Sequence, residues 1–495
     1  MAQATKVAVV SFTDPRRTDF EDQREQYLRD RHQALTAALA QAGCQVLDPM
    51  VQSKDPRDSA FGLRSPREVR AAAALVRGQQ ADCLVIGCWH WTEPMLPMTL
   101  VRETDLPVLL FAEDDPTWAG SVCLSAVGAS LWEVGLNRHA TSHARSLGDY
   151  QKVIRWAAGV GAMMRLRRQS LLLWGGSYCL RMEHLQDDIP TLKTRFVGDV
   201  LSEGEYVLIR GAEAILRDQP GRVDQVISWL EQGGARIVYD QQMLTKESLR
   251  RQVALYLAAR DRLGELEEED IAGVSVKCQP ELSVDYGVTG CLLPAFLPFG
   301  QDAEGARRAL PTVCEGDIKG LVTCCLLDQL GGEAPPLFGD LKYLGEDYLI
   351  ISNCGASSVY YAANSGQPEQ VLPRLTLAGQ CQGKSGGAVG YQGQRGPVTL
   401  ARLVRIKGRY LMQLAAGRSL EITTRITRDI LWGKMWPHVA IHLDAPRHLL
   451  LEAVGSNHYC AIPGDYTAEL TFACREADIP MLRLDSPAEL AAFVP

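Results

Sequence analysis

The sequence predicts a mixed α/β protein, with two Rossmann-like parallel-sheet α/β domains followed by a C-terminal antiparallel β-barrel-like domain. Over the first part of the chain, short apolar runs alternate with longer amphipathic stretches, as they do in βαβ units. From about residue 347 the apolar runs become short and are separated by turn residues, which is typical of antiparallel sheets. A length of 495 residues is too great for one hydrophobic core. We therefore predict domains at 1–168, 169–346 and 347–495.

The first domain has a repeated strand–helix pattern. Its predicted strands are KVAVVSF, CQVLDPM, ADCLVIGCW and LPVLLFA, and its predicted helices are YLRDRHQALTAALAQAG, which ends at Gly43, and REVRAAAALVRGQQ. Strands that alternate with helices build a parallel sheet, which binds ligands through the loops after its strands. Those loops are SFTDPRR, DPMVQSKD, CWHWTEP and FAEDDPTW.

The second and third domains are predicted from a change in the same pattern. SLLLWGGS reads as a strand followed by a glycine turn, and the helix DQVISWLEQ and the strand VSVKCQ continue this α/β unit. The third domain consists of β-like runs with turn signals between them: DYLIISNCG, SVYYAAN, VLPRLTLAG, GAVGYQG, PVTLARLVRIKG and RYLMQLAAG.

Composition and charge disfavour several classes of function. Charged residues make up 22% of the chain, the net charge is −8, and no basic block is present, so we expect no nucleic-acid partner. The start of the sequence lacks the features of a signal peptide, and no apolar run reaches about 18 residues. We therefore expect a cytoplasmic protein without a membrane partner. Many of the 14 cysteines lie in apolar runs, which favours buried, reduced thiols over disulfides or a thiolate metal site.

Two nucleotide-binding motifs are disfavoured by their spacing. LAGQCQGKSGG resembles a phosphate loop, but Ala378 stands where a Walker motif has its first glycine. The glycine-rich stretch after it is also a poor helix former. Neither early strand is followed by GxGxxG, so a nicotinamide cofactor is not expected.

A carboxylate-rich turn is predicted in PTVCEGDIKGLVTCCLLDQLGG. The second half of this segment has the apolar spacing of a helix and ends at Gly331. Glu315 and Asp317 therefore fall between a strand and a helix, where backbone N–H groups favour carboxylates. On this segment alone, N-terminal capping is the simpler interpretation.

Two further segments place polar side chains in apolar surroundings. Asp340 follows Gly339 in PPLFGDLKYL, where it is either a turn residue or a metal ligand. Asn457 and His458 lie in SNHYCAIPGD after a helix-like stretch, and a single histidine there is more often structural.

Taken together, Glu315, Asp340 and His458 form a set suited to Mn²⁺ or a similar divalent cation, because two carboxylates and one imidazole are rich in oxygen donors. Such a site can bind adjacent sugar oxygens and acidify the neighbouring C–H bond. Paired carboxylates can then act as acid and base in an aldose–ketose interconversion through an enediol.

These segments, in this order, resemble the L-fucose isomerase family of the L-fucose/L-arabinose isomerase superfamily. CEGDIKG and SNHYCAIPGD are similar to the family's metal-binding turn and C-terminal segment, and Glu315 and Asp340 are 25 residues apart, as in the family. WGGSYCLRM resembles the strand that opens the family's second domain. The resemblance implies Mn²⁺ on Glu315, Asp340 and His458, with both carboxylates catalytic.

The resemblance also implies substrate contacts from four residues. Gln279 in VKCQPEL and Asn457 would contact the sugar, and Trp436 in MWPHVAIH would stack on it, although a core tryptophan is an equal alternative. Family members form trimers or hexamers in which a loop of the first domain completes the neighbour's pocket. Trp89 in CWHWTEP is the candidate for that role, and interface packing is its alternative.

Two other histidines lie close to Trp436 in the sequence. We interpret His438 and His442 as structural, and keep His438 as the rival metal ligand. The predicted function is thus a metal-dependent aldose–ketose isomerase of carbohydrate metabolism that acts on a fucose- or arabinose-like sugar. The alternatives are a non-catalytic sugar-binding protein and a metal-dependent lyase or epimerase on the same scaffold.

Overall fold

The computed structural model describes residues 4–16, 20–54 and 58–493, so Arg17 and Asp55 of the predicted ligand loops lie outside the described residues. The chain divides into two compact units. The N-terminal unit contains the chain up to Arg165 together with Ala468–Asp478, and the second unit contains Leu166–Thr467 and the chain from Ile479 onward. The predicted fold class, parallel-sheet α/β domains with a C-terminal antiparallel barrel, is confirmed.

The N-terminal unit is built on a five-stranded parallel sheet with the order β2-β1-β3-β4-β5. Its elements are β1 (Lys6–Ser11), α1 (Glu21–Gln41), β2 (Gln45–Leu47), α2 (Met50–Ser53), α3 (Pro66–Gly78), β3 (Cys83–Gly87), α4 (Met95–Thr104), β4 (Val108–Ala112), α5 (Gly120–Val134), α6 (Arg138–Thr141), β5 (Ala144–Leu147) and α7 (Tyr150–Leu166), with the later helix α17 (Thr467–Glu476).

Both faces of this sheet are buried, which explains its unbroken apolar strands. Val7 and Val9 pack into the core on one face, whereas Ala8 and Val10 pack into a separate core on the other. The strand–helix alternation predicted for this unit is confirmed by the parallel pairing of its strands.

The second unit begins with a four-stranded parallel sheet of order β12-β9-β6-β7. Its elements are β6 (Ser170–Trp174), α8 (Ile189–Arg195), β7 (Asp199–Glu203), α9 (Tyr206–Asp218), α10 (Pro220–Gln232), β8 (Arg236–Val238), α11 (Lys246–Glu265), β9 (Ile271–Val276), α12 (Leu292–Phe296), β10 (Gln301–Asp302), β11 (Gly305–Ala306), β12 (Thr312–Cys314) and α13 (Ile318–Leu330).

The remainder of the second unit contains a closed antiparallel barrel. Its further elements are β13 (Leu337–Leu344), β14 (Leu349–Ser352), α14 (Pro368–Val371), β15 (Thr376–Gly379), β16 (Gly387–Gly390), β17 (Gly396–Ile406), β18 (Arg409–Leu420), α15 (Thr424–Thr427), β19 (Val439–His442), α16 (Arg447–Ala453), β20 (His458–Pro463), β21 (Met481–Arg483) and α18 (Pro487–Ala492). Six strands follow the order β17-β20-β13-β14-β19-β18, and pairing of β17 with β18 closes the ring. Strand β21 adds to β18 in parallel.

Three details differ from the sequence-based expectation. Strand β13 lies before the predicted boundary at residue 347 but belongs to the barrel, because the chain reverses at Gly345, whose N–H donates to the Tyr348 carbonyl at 2.8 Å. Strands β15 and β16 pair with β8 rather than with the barrel. The run SVYYAAN forms a 3₁₀ helix at Val359–Ala362, where the buried Tyr361 hydroxyl donates to carbonyls of neighbouring segments.

Among the helices formed by the described residues, none combines the length and the apolar character needed to cross a bilayer.

Candidate active site

Glu315 lies in the predicted turn between strand β12 and helix α13. Glu315 and Gly316 both adopt left-handed backbone conformations, with φ of 62° and 66°. Asp317 caps the helix, since its Oδ1 accepts a hydrogen bond from the Gly320 N–H at 2.8 Å. Capping is therefore the role of Asp317, whereas the strained backbone turns the Glu315 carboxylate elsewhere.

The barrel brings Asp340 and His458 together. Asp340 is a residue of strand β13 rather than of a turn, and it pairs directly with His458, the first residue of β20. Directly opposed residues of antiparallel strands project from the same face of the sheet. The barrel register alone thus places these two side chains side by side.

The three predicted metal ligands converge at one point. His458 Nε2 is 3.5 Å from Glu315 Oε2 and 3.5 Å from Asp340 Oδ1. The His458 side chain is fully buried, and its Nε2 has no hydrogen-bond partner among the described residues. Glu315 and Asp340 are 9% and 28% exposed, so the cluster opens to solvent on the aspartate side.

The other ring nitrogen of His458 is held by a buried ion pair. His458 Nδ1 donates to Asp317 Oδ2 at 2.8 Å, and the Arg402 guanidinium contacts both oxygens of Asp317, at 2.5 and 3.0 Å. All three side chains are fully buried. A carboxylate that holds Nδ1 fixes the orientation of the ring and directs Nε2 toward Glu315 and Asp340.

Burial and the local charges shift the pKa values of the side chains in this cluster in different directions. Burial opposes ionisation of Asp317, but the Arg402 charge and the His458 hydrogen bond hold the pKa of Asp317 well below its usual range. Burial disfavours the charged form of His458, yet the hydrogen bond to Asp317 and the nearby Glu315 carboxylate raise the pKa of His458 to about 10. For Glu315 the attraction of His458 outweighs burial and lowers the pKa, whereas burial raises the pKa of Asp340.

This arrangement fits a divalent cation. Because ionised Asp317 can only accept, His458 Nδ1 carries the proton, and Nε2 of the neutral ring presents a lone pair. That lone pair faces two carboxylates, so three electron-pair donors meet at one point and require a positive charge between them. In the metal-free protein, a second proton on His458 supplies this positive charge. Two oxygen donors and one imidazole also suit Mn²⁺ or a similar cation.

Glu315 and Asp340 form part of the wall of a cavity of about 290 Å³ in the second unit. Its lining combines carboxylates, amides, a thiol, a lysine and indoles, from Leu180, Gln279, Glu315, Asp340, Leu341, Lys342, Ser352, Cys354, Gln382, Trp432 and Trp436. A few convergent polar groups beside aromatic faces are typical of sites for small polar ligands.

The predicted sugar-contacting residues fall in different places. Gln279 and Trp436 line the cavity, and Trp436 is 3% exposed. Asn457 Nδ2 donates to Asp340 Oδ1 at 2.8 Å, while its Oδ1 lies 2.7 Å from His184 Nε2. The contact that the structure gives Asn457 is thus with a predicted metal ligand.

The structure corrects the expectation for Trp89. Its indole was expected on the surface, but it is 1% exposed, packs edge-on against Phe111 and donates to Ser11 Oγ at 2.7 Å in the N-terminal unit. Because apolar side chains cover both faces of the sheet where β3 ends, the indole packs into the core. Within this chain Trp89 is therefore a core residue, whereas in the same loop CWHWTEP the two aromatic rings of His90 and Trp91 are half-buried and Glu93 is exposed.

The two other candidate histidines do not join the cluster. His438 Nε2 accepts from Lys342 Nζ at 2.7 Å, and burial lowers the pKa of His438 to about 3. His442 Nδ1 lies 2.7 Å from the Asp347 carbonyl oxygen. Both contacts match the structural role that the sequence favoured.

Sequence reasoning missed a thiol group beside Glu315. Cys314, Cys354 and Glu315 each offer an atom within 4.8 Å of the others, and Cys354 Sγ donates to Glu315 Oε1 at 3.3 Å. A hydrogen bond with Cys314, together with burial, raises the pKa of Cys354 well above its usual range. Protonated thiols are poor metal ligands, so this set competes weakly with Asp340 and His458 for a hard cation. The two cysteines are far apart in sequence and carry no joint signal.

Sequence reasoning also missed Lys342 and Trp432 in the cavity wall. Lys342 lies two residues after Asp340 on β13, at an irregularity where the pairing with β14 shifts between Leu341 and Tyr343, so its place in the cavity wall could not be predicted from strand alternation. Trp432 precedes Trp436 by four residues, and their rings pack edge to face with centroids 4.6 Å apart.

Comparison with known proteins confirms the resemblance drawn from the sequence. Residues 351–484 match the family model of the L-fucose isomerase C-terminal domain. This stretch contains His458, and most of the barrel strands fall within it.

Similar curated proteins carry the name sulfoquinovose isomerase. The chain is 22% identical over 227 residues to the one from Alkalicoccus urumqiensis, across 44% of this chain and 46% of that protein. It is 24% identical over 209 residues to those from Priestia aryabhattai and Priestia megaterium, across 41% of this chain and 42% of each. The similarity thus spans less than half the length of each relative.

Proposed function

Taking as premise that the chain carries an L-fucose isomerase C-terminal domain over residues 351–484, we propose that it is a metal-dependent aldose–ketose isomerase. The observation that carries the proposal is the meeting of Glu315, Asp340 and the unpartnered His458 Nε2 at one point, with both carboxylates in the wall of one cavity. Similarity to sulfoquinovose isomerases supports a sugar as substrate. The sequence resemblance favours a fucose- or arabinose-like sugar.

Glu315, Asp340 and His458 would hold the cation, which we propose to be Mn²⁺ or a similar divalent ion. Asp317 and Arg402 keep the imidazole in the orientation that ligation needs. When bound, such an ion polarises a carbonyl group and acidifies the adjacent C–H bond.

Glu315 and Asp340 are the proposed acid–base pair. Isomerisation removes a proton from C2 of the open-chain aldose, forms an enediol and returns a proton to C1, while a second proton moves between the two oxygens. In the metal-free protein the two carboxylates already differ, because the His458 interaction lowers the pKa of Glu315 and burial raises the pKa of Asp340. We propose Glu315 as the group that accepts a proton and Asp340 as the group that donates one. Among the described residues nothing donates to Asp340 Oδ2, which leaves that oxygen free for substrate.

Gln279 and Trp436 are the proposed positioning groups of the cavity. The amide of Gln279 can donate to and accept from sugar hydroxyls. The face of Trp436 suits the C–H groups of an open-chain sugar. Asn457 acts on the carboxylate, because its amide holds Asp340 Oδ1.

The test is ketose formation by purified, chelator-stripped protein with and without added Mn²⁺, on L-fucose, D-arabinose, L-arabinose and sulfoquinovose. Running the reaction in D₂O reports the chemistry directly, since an enediol route exchanges carbon-bound hydrogen with solvent. We expect metal-dependent ketose that carries deuterium at C1. Cleavage of the sugar into two shorter fragments would indicate a lyase. An aldose with inverted configuration at one carbon would indicate an epimerase. Absence of both metal binding and exchange would favour a sugar-binding protein.

We also infer that the chain works as a cytoplasmic homo-oligomer, a trimer or hexamer, without nucleic-acid or membrane partners. Leu431 and the cavity-lining Trp432 are adjacent in sequence and are 76% and 62% exposed, and such paired apolar side chains favour coverage by another subunit. Light scattering of the purified protein measures the mass of the assembly, and a monomer would contradict the inference.

A further inference from the structure

A second cavity of the second unit lies at the carboxyl ends of two neighbouring strands of the parallel sheet. It has a volume of about 700 Å³ and is bounded by the glycine turn Gly175–Gly176 after β6, by the end of β7 and by the segment Glu281–Tyr286. None of its described lining residues belongs to the wall of the cavity that contains Glu315. Ligands of open α/β sheets bind at this end of the strands, so the position favours a binding site.

Acidic side chains dominate the wall of this second cavity. Its four carboxyl groups are those of Glu203, Glu205, Glu281 and Asp285, and none of its described lining residues is a lysine, an arginine or a histidine. Arg262 pairs with Glu203, and Lys277 pairs with Glu281. Neither of the other two carboxyl groups forms an ion pair with a described residue. Acidic groups in this wall thus outnumber the cations that pair with them.

Three side chains of this wall have a buried polar atom without a hydrogen-bond partner among the described residues. Glu205 is 4% exposed, and its Oε1 accepts from the Cys278 N–H at 2.9 Å, but its Oε2 has no partner. Glu281 Oε2 and the Tyr286 hydroxyl are likewise buried and without a partner. A buried polar atom that lacks a partner destabilises the fold. All three oxygens can accept, so a ligand that donates hydrogen bonds suits each of them.

The size of the second cavity and its apolar residues indicate an organic ligand. A volume of about 700 Å³ is typical of pockets for organic molecules and exceeds what a bare ion needs. Tyr206 is 67% exposed and, with Ile209, offers apolar surface for a carbon chain. Aromatic rings attract ammonium groups. A primary ammonium also combines three N–H donors with the positive charge that the acidic wall requires.

We propose that the second cavity binds a small organic cation whose primary ammonium group donates to Glu205 and pairs with the neighbouring carboxylates. Hydrogen bonds from an ammonium to a carboxylate are charge-assisted and therefore stronger than those from a neutral hydroxyl. The site goes beyond the proposed isomerase function and does not depend on it, because it lies outside the metal cavity and needs no sugar.

Calorimetric titration of the purified protein tests the site with matched pairs in which an ammonium replaces a hydroxyl. The pairs are putrescine with 1,4-butanediol, cadaverine with 1,5-pentanediol, and ethanolamine with ethylene glycol. At about pH 8 we expect at least one amine to bind about tenfold or more tightly than its uncharged counterpart. Equal affinity in every pair, or tighter binding of the uncharged members, would overturn the proposal.

Variants assign the amine to this cavity. Glu205→Gln removes the charge but keeps an acceptor for the Cys278 N–H, and it should weaken amine binding about tenfold while leaving diol binding unchanged. Asp285→Asn removes an exposed charge and should weaken amine binding about threefold. Glu421→Gln is the matched control, because this exposed carboxylate follows strand β18 and does not line the cavity. Amine affinity that is unchanged in both cavity variants would overturn the assignment.

Proton release on binding separates Glu205 from the exposed carboxylates. Burial raises the pKa of Glu205 to about 7, the Glu281 charge adds to this shift, and the Cys278 N–H and the Lys277 charge oppose it. The hydrogen bond to Glu281 raises the pKa of Lys277, so Lys277 stays charged at neutral pH. A cation binds the ionised form of Glu205, so amine affinity should rise about tenfold from about pH 6 to about pH 8.

Calorimetry in buffers of different ionisation enthalpy counts the protons released. Glu205→Gln should lose both the proton release and the pH dependence, whereas Asp285→Asn should keep them. Amine binding that releases no proton in the native protein would overturn the role of Glu205. Amine binding without isomerisation would contradict the isomerase alone, and isomerisation without amine binding would overturn this inference alone.

Discussion

The three converging side chains of the site differ in what their replacement should remove. Glu315→Gln and Asp340→Asn keep the shape of the side chain but remove the acid–base function, so kcat should fall by about a hundredfold or more. His458→Ala should chiefly weaken metal binding. Ketose formation and elemental analysis of the purified variants measure the two effects. Asp347→Asn is the control, because its exposed carboxylate pairs with Arg425 away from the cavity. Near-normal turnover in either carboxylate variant would contradict the assigned roles.

Asp317 is expected to act through His458 and not on the substrate. Asp317→Asn retains a helix cap but releases the imidazole, and it should lower metal affinity by about tenfold to a hundredfold. It also leaves the fully buried Arg402 without its counter-charge, at a cost of about 3–5 kcal/mol of folding free energy.

A double variant separates these two effects of Asp317. Asp317→Asn combined with Arg402→Met removes both buried charges, so the free energy of unfolding should recover while metal affinity stays low. Chemical denaturation and metal titration give the two readings. Recovery of metal affinity in the double variant would show that Asp317 acts by stabilising the fold alone.

At the scale of single elements, helix α13 has a left-handed glycine on each side, which provides an internal control. Gly316 and Gly332 both have φ of 66°. A Cβ on Gly316 would lie 2.7 Å from the Gly176 carbonyl oxygen, whereas a Cβ on Gly332 would meet nothing within 4 Å. The two alanine substitutions therefore share a backbone strain of about 1–2 kcal/mol and differ in a steric clash.

We expect Gly332→Ala to be destabilised only by that backbone strain and to keep full activity. Gly316→Ala should be destabilised further and should lose turnover, because the turn that carries Glu315 must shift. Thermal unfolding and ketose formation test the pair. Equal losses of activity in both variants would contradict a role for the β12–α13 turn in placing Glu315.

The individual elements differ in how well they can be recognised from the sequence alone. The strands of the N-terminal sheet are recognisable because both of their faces are buried, and the turn at Glu315 is recognisable because an apolar helix pattern follows it. Arg402 and Cys354 are not recognisable as neighbours of the site, because each reaches it from a different strand or loop through tertiary pairing. The fold of Val359–Ala362 was obscured for the same reason, since contacts of Tyr361 override the local preference for a strand.

At the scale of the whole molecule, a buried carboxyl should shape stability against pH. Glu205 is 4% exposed, its Oε1 accepts from the Cys278 N–H at 2.9 Å, and its Oε2 has no partner among the described residues. Burial raises the pKa of Glu205 from 4.5 to about 7. Because the folded state binds this proton more tightly, the stabilisation is complete below the unfolded pKa and is lost as pH rises through about 7.

Glu205→Gln cannot titrate, so its free energy of unfolding relative to the native sequence should rise between about pH 4.5 and pH 7, by up to about 3 kcal/mol. Glu203→Gln is the opposite case, because a hydrogen bond from Arg262 lowers the pKa of Glu203 and its charge stabilises the fold at neutral pH. That variant should be less stable than the native protein at about pH 8. Urea denaturation across this pH range measures both, and parallel curves for Glu205→Gln and the native protein would contradict the shift.

The direct pairing of Asp340 with His458 across β13 and β20 also limits how the gene can change. Side chains alternate along a strand, so one codon gained or lost between Leu337 and Asp340 in β13, or directly after His458 in β20, would turn the ligand to the opposite face relative to the rest of its strand. Substitutions elsewhere in the barrel, and length changes in its surface loops, carry no such penalty. The amino-acid sequence of this domain can therefore diverge widely, whereas the number of residues in these two strands has to be conserved around the two ligands.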